Sequence, residues 1–253
     1  MVLRSFGMSN IGMVRETNQD NLIFDDKIGL YIVADGMGGH AAGEQASQSA
    51  VQTIYEILSE YDFKTGTLRD QSDSLPIEEV IKYAFQEAND RILLSSLSNS
   101  AFQGMGTTAT VAIYNNNFLY IGHVGDSRIY LIRNRQISQL SKDHSVVQQL
   151  VDVGVISQDE AQVHPYKNVI TKCLGMQSEV EGDTFKIALM NDDRIVMCTD
   201  GLSNLVTDEQ IKEIVLRNNE LEKACTELIN TANERGGPDN ITVVLIHNED
   251  IYY

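Results

Sequence analysis

The chain has 253 residues, 42% of them hydrophobic, which suits one large domain or two small ones around a sizeable core. It carries 19 Lys and Arg against 36 Asp and Glu, a net charge of −17, so it repels nucleic acid and anionic lipid, whose phosphates call for clustered cations. It holds no run of about 18 apolar residues, so no membrane span is expected. The opening stretch MVLRSFGMSN has no apolar core after Arg4 and does not read as a secretory leader. Cys173, Cys198 and Cys225 are odd in number and widely spaced, with no CxxC. They read as reduced thiols of a cytoplasmic protein. No linker, repeat or low-complexity tract interrupts the chain, which predicts a single domain over 1–253.

In chain order, an apolar run predicts a buried strand over 29–34. Ala46, Ala50, Val51, Ile54 and Leu58 then form a helical stripe. After Pro76, Ile77, Val80, Ile81, Ala84, Phe85, Ala88 and Ile92 form another. Strands are expected over 108–113, 118–121 and 128–132, with turns at Asn115-Asn116-Asn117 and Gly125-Asp126-Ser127. A strand over 195–199 follows. Thr207 with Gln210 makes a capping box for a helix carrying Ile211, Ile214 and Val215. A further helix carries Leu221, Ala224, Cys225, Leu228 and Ile229, ends near Gly236-Gly237, and precedes a strand over 241–246. Sequential antiparallel pairing, rather than strict βαβ alternation, predicts an α+β sandwich of two antiparallel sheets with helices outside.

Aspartates recur at the lips of these strands. VADG holds Asp35, VGDS Asp126, CTDG Asp200, GGPDN Asp239 and NQDN Asp20. One such aspartate is an ordinary turn former. Five brought to one edge would repel unless a cation neutralised them. Their hard oxygens suit Mg2+ or Mn2+, and no His/Cys spacing competes for a softer metal. Two such metals would activate water and neutralise a phosphate. Phosphate-monoester hydrolysis needs acceleration of up to about 10²¹-fold, roughly 28 kcal/mol. A single general acid or base supplies about 10²–10⁴.

GMVRETNQD, VADGMGGH, GMGTTAT, GHVGDSRIY, CTDGLSN and GGPDNITVV stand in the order found in the PP2C-type (PPM) metal-dependent serine/threonine protein phosphatases, and the chain resembles the bacterial members of that family. The resemblance implies an α-β-β-α sandwich, two antiparallel sheets flanked by helical pairs, and a flap segment at about 145–174. In that flap Gly154 ends one short helix, and Ser157 with Glu160 caps the next. It also implies two Mn2+ or Mg2+ ions per site and a third, weaker one. Asp35 would bridge the two metals, and the carbonyl of Gly36 would bind one of them. Asp200 and Asp239 would complete the other. Asp126 would join Asp200 at the third site. Asp20 would act through bound water, and Asn240 would orient the loop carrying Asp239. Arg15 would grip the substrate phosphate with its planar fork. Arg128 would brace the GDSR turn, and Gly106-Thr107-Thr108 would pack a central strand. Where animal members carry a histidine directly after the Asp-Gly pair, this chain has Met37. His40 is therefore the candidate general acid, the competing reading being a loop histidine that contacts substrate. His123 reads as a satisfied core residue.

The implied reaction is hydrolysis of phosphoserine and phosphothreonine in proteins by a dimetal-activated water. The implied partners are phosphoproteins made by a cognate Ser/Thr kinase, met by a cytoplasmic monomer that binds neither nucleic acid nor membrane. Two other readings compete: a dimetal phosphohydrolase of small phosphate esters, and a pseudophosphatase kept as a binding module, which would need a lost ligand. A structural calcium site would need a loop of EF-hand type, which is absent from the sequence.

Overall fold

The computed structural model describes residues 2–39, 41–68 and 73–249. The elements are β1 (Val2–Asn10), β2 (Asp20–Asp25), β3 (Leu30–Met37), α1 (Ala41–Ser59), the short β4 (Tyr61–Asp62) and β5 (Thr67–Leu68), α2 (Ile77–Ser98), β6 (Gly106–Thr107), β7 (Ala109–Asn115), β8 (Phe118–Val124), β9 (Arg128–Arg133) and β10 (Gln136–Gln139). There follow α3 (Val146–Asp152), α4 (Gln158–Val163), β11 (Asp183–Ala188), β12 (Arg194–Cys198), α5 (Asp200–Ser203), α6 (Asp208–Arg217), α7 (Leu221–Glu234) and β13 (Ile241–Glu249). One sheet runs β1-β13-β12-β9-β10. The other runs β11-β8-β7-β3-β2, with β6 also pairing β3.

Strand alternation builds the layers. Leu30, Ile32 and Ala34 point to one face of β3 and pack with Ala46, Ile54, Ile81 and Phe85 of α1 and α2. Tyr31 and Val33 point to the other face and meet Ile129, Ile195, Met197, Val244 and Ile246 between the sheets. On the far side Tyr130, Val196, Val243 and Leu245 pack against Ile211, Ile214 and Leu228 of α6 and α7. The result is the α-β-β-α sandwich. Asn116 and Asn117, both at positive φ, close the β7–β8 hairpin with the two-residue turn that matches strand twist.

The strand expected to end at Ala34 continues through Asp35 and Gly36 to Met37. Its ladder persists on both edges: Asp20 faces Asp35 on one side, and Gly36 and Met37 face Thr107 and Gly106 on the other. β1, β10 and β11, and the two-residue β4 and β5, have no counterpart among the expected strands. Both capping boxes form, Ser157 with Glu160 and Thr207 with Gln210. The segment 145–174 holds α3 and α4 and is tied at its base by bridges from Ser145 to Ile170 and from Thr107 to Leu174.

Candidate active site

Asp20 opens β2 directly opposite Asp35 of β3. Only 5% of it is exposed. Its Oδ2 accepts from Thr242 Oγ1 at 2.7 Å and Thr199 Oγ1 at 2.9 Å, residues of the facing sheet. Its Oδ1 is buried with no partner. Asp35 is fixed through its backbone. Its N–H donates to Thr108 Oγ1 at 2.8 Å, and its C=O accepts from Thr107 Oγ1 and the Thr108 N–H, each at 2.9 Å. None of these bonds uses its carboxyl, which meets Asp200.

Asp200 begins α5, where its Oδ2 accepts from Asn204 Nδ2 at 3.0 Å, and its Oδ1 too is buried without a partner. Asp239 Oδ2 accepts from Arg15 Nη2 at 2.8 Å. Asn240 is 4% exposed and clamps the loop between β1 and β2. Its Oδ1 accepts from the Gln19 N–H at 2.8 Å, and its Nδ2 donates to the carbonyls of Ile11 and Thr17 at 2.9 and 3.0 Å. Asn240 therefore holds the loop that carries Arg15, as well as adjoining Asp239. Gly36 permits a close approach: a Cβ there would lie 2.0 Å from the Gly43 carbonyl oxygen and 2.6 Å from that of Gln19.

The carboxyls burden one another. Burial pushes Asp35 well above the usual carboxylate range, and Asp20, Asp200, Asp126 and Asp239 push it further. Burial likewise raises Asp20 to about 7, against the two threonine donors that favour its charge. Asp200 is raised by burial and by Asp239, and relieved in part by a hydrogen bond from Asp35 and by Arg128 and Arg15. Asp126 is raised by burial, then by Asp200 and Asp143. All five aspartates thus share one electrostatic neighbourhood.

Among the described residues, no three His, Cys, Asp or Glu side chains converge tightly enough to hold a metal ion as they stand. The donor chemistry nonetheless fits a hard divalent cation. The facing groups are oxygens, two of them buried with no partner, and added positive charge would relieve the repulsion at Asp35. His40 lies outside the described residues. Arg128 grips Asp143 with Nε and Nη2 at 3.0 and 2.7 Å and reaches Tyr130 Oη at 3.2 Å, so it braces the loop beside the GDSR turn. His123 is fully buried, but only half satisfied. Its Nδ1 meets Thr110 Oγ1 at 3.0 Å, and its Nε2 has no partner.

Thr199 and Thr242 are residues that local sequence reading passes over, and Thr108 is one that it assigns to packing alone. Each is a strand-associated threonine whose hydroxyl meets a site aspartate, and the partner lies 179, 222 and 73 residues away.

A helix-faced β-sandwich with five aspartates gathered at one edge of its sheets is the architecture of a metal-dependent phosphohydrolase. The profile of the family described as protein phosphatase 2C matches residues 13–245, and the chain belongs to that family. A serine/threonine phosphatase of Listeria monocytogenes is 39% identical over 241 residues, covering 94% of this chain and 93% of that protein. The crystal structure of the Mycobacterium tuberculosis serine/threonine phosphatase PstP/Ppp superposes with a TM-score of 0.88 at 36% identity, covering 99% of this chain and all of the other. The catalytic domain of a phosphatase PstP, solved in complex with two manganese ions, superposes with a TM-score of 0.85 at 35% identity, covering 98% of this chain and 99% of that one.

Proposed function

We propose that the protein hydrolyses phosphoserine and phosphothreonine in proteins. The observation that carries the reading is the half-buried carboxylate group around Asp35, with the partnerless oxygens of Asp20 and Asp200 inside it and Arg15 at its rim. Asp35, the Gly36 carbonyl, Asp200 and Asp239 would hold two Mn2+ or Mg2+ ions, with Asp20 reaching them through water and Asp126 joining Asp200 at a third, weaker site. Bound there, the ions supply positive charge to the phosphate and lower the pKa of the attacking water.

The chain's own groups do the rest. Arg15 presents a guanidinium to the incoming phosphate and fixes its orientation. Asn240 holds the Arg15 loop against β13, so that cation and carboxylates keep their spacing. The attacking water gives up a proton to solvent and bonds to phosphorus as the bond from phosphorus to the serine or threonine oxygen breaks. That leaving oxygen takes a proton, and His40 is the proposed donor. Segment 145–174 is the proposed flap over the substrate. The substrates would be products of a Ser/Thr kinase, met in the cytoplasm by a monomer. Among the described residues no helix is long and apolar enough to cross a membrane.

The test is release of phosphate from phosphoserine and phosphothreonine peptides, from nucleotides and from small sugar phosphates, each with and without Mn2+. Metal-dependent turnover that favours the peptides is expected. Equal or better turnover of the small esters would overturn the protein-substrate reading.

A further inference from the structure

His144 lies between β10 and α3, and its side chain is 10% exposed. It holds Gly125, the residue before Asp126, from both sides. The His144 N–H donates to the Gly125 carbonyl at 2.7 Å, and the Gly125 N–H donates to His144 Nδ1 at 3.1 Å. Gly125 has φ +110°, and a Cβ there would meet Thr108 at 2.5 Å, so the turn is held in one conformation that only glycine fits. The Gly125 N–H can donate only to a bare ring nitrogen, so the His144 proton sits on Nε2. That nitrogen faces Asp183 Oδ2 at 3.3 Å, the group that fixes the tautomer. The ring also stacks on His123, with centroids 5.1 Å apart and planes 27° apart.

The same residue is the base of segment 145–174. The Thr171 N–H donates to the His144 carbonyl at 2.7 Å. Beside it the Val146 N–H donates to the Val169 carbonyl at 2.9 Å. Both chain ends of the segment therefore meet at the residue that grips the Asp126 turn.

We infer that His144 is a positioning residue that couples the placement of segment 145–174 to that of the Asp126 carboxylate. The inference rests on the proposed role of Asp126 in a weaker metal site. Coupling of this kind is reciprocal. Occupying the Asp126 site should order the segment, and loosening the segment should weaken the site. Asn at position 144 keeps an acceptor near the place of Nδ1 and loses the Asp183 contact. Gln keeps the reach toward Asp183 and loses the acceptor for Gly125.

The experiment is Mn2+ titration of wild-type, His144→Asn, His144→Gln and Asp126→Asn proteins. It is followed by calorimetry and by hydrogen exchange of peptides spanning 144–171. In wild type, the weaker binding event should slow exchange in the segment. Asp126→Asn should lose that event and its protection while the tight binding stays. His144→Gln should weaken it about five- to tenfold, the loss of one backbone hydrogen bond, and lose the protection. His144→Asn should stay within about twofold of wild type. If His144→Gln binds and protects as wild type does while Asp126→Asn does not, the coupling is wrong and the reading of Asp126 stands. If Asp126→Asn keeps the weaker event, the reading of Asp126 fails and the inference with it. Equal losses in His144→Asn and His144→Gln would also overturn it, because the ring would then act through packing and not through Gly125.

Discussion

Arg15 and Asp239 form an ion pair at 2.8 Å, and Asp35 and Asp200 also bear on the same guanidinium. The cation proposed for the phosphate is thus already held by the carboxylates of the site. Arg15→Ala should raise KM about ten- to hundredfold, matching ~1.5–3 kcal/mol for a hydrogen bond to a charged group, and change kcat less. Arg15→Lys should restore little, because a point charge lacks the two-pronged fit to phosphate. Steady-state kinetics on a phosphopeptide decide it. A loss confined to kcat would move Arg15 into the chemical step.

Asp35→Asn should act in opposite directions on catalysis and on the metal-free fold. Removing the most crowded carboxylate should lower kcat at least about a hundredfold through the lost cation charge. The same change relieves repulsion from four aspartates, so chelator-treated Asp35→Asn should melt at or above wild type. Wild type in excess chelator should be inactive and recover with Mn2+. Full turnover with metal content verified as nil would contradict the mechanism.

Thr242→Val should cost about 1–3 kcal/mol, since it strips a donor from buried Asp20. Asp20 titrates near 7 in the fold against 3.8 ordinarily. Its native pKa is raised, so its contribution to stability is present below about 3.8 and lost as pH rises through about 7. A cation must displace that proton, so Mn2+ affinity should tighten between pH 5.5 and 7.5. Thr242→Val should move that rise to higher pH. Calorimetry across the range would show an unmoved profile if Asp20 had no part in binding.

His123 runs the other way. Burial, followed by His144, pushes it down to about 4. The native state prefers it neutral, so its contribution is present above about 6.5 and lost as pH falls through about 4. That is worth about 3 kcal/mol. His123→Asn keeps an acceptor near Thr110 and cannot titrate. Between pH 7 and pH 4, urea unfolding should show wild type losing more stability than the variant, and equal losses would remove His123 as the cause.

His40→Ala should reduce kcat strongly on phosphoserine peptides, whose leaving oxygen needs a proton, and weakly on p-nitrophenyl phosphate, whose phenolate is already stable. Equal losses on both would make His40 a binding or loop residue.

The parts of the fold that show in the sequence are those whose cause is local. The two capping boxes pair residues three apart, and the stripe on α2 repeats at helical spacing. β1 is hidden because its inward face is Leu3, Ser5 and Gly7. Ser5 is tied to Asp26, and a Cβ at Gly7 would lie 2.7 Å from both Leu22 and Phe24. The strand's other face carries Phe6 and Met8 against the α6–α7 core, so the only alternation is Phe6-Gly7-Met8, too short to mark a nine-residue strand. Four of the five aspartates can be picked out by the glycines beside them, and Asp20, in NQDN, only by its place ahead of an apolar run. The threonines that hold Asp20 and Asp35 cannot: Thr199 and Thr242 meet Asp20 only when the two sheets face each other, and Thr107 and Thr108 meet Asp35 only when β6 and β7 pair with β3.

β13 lies between β1 and β12, and Asp239 and Asn240 lead into it. The loop they hold begins at Ile11. A nascent chain leaving the ribosome therefore exposes Arg15, Asp20 and Asp35 early, with no means of assembling them. Joining ends more than 220 residues apart is entropically late in folding. Catalytic competence should appear in one step once the last strand is released, so that no partly synthesised chain can act on its substrates.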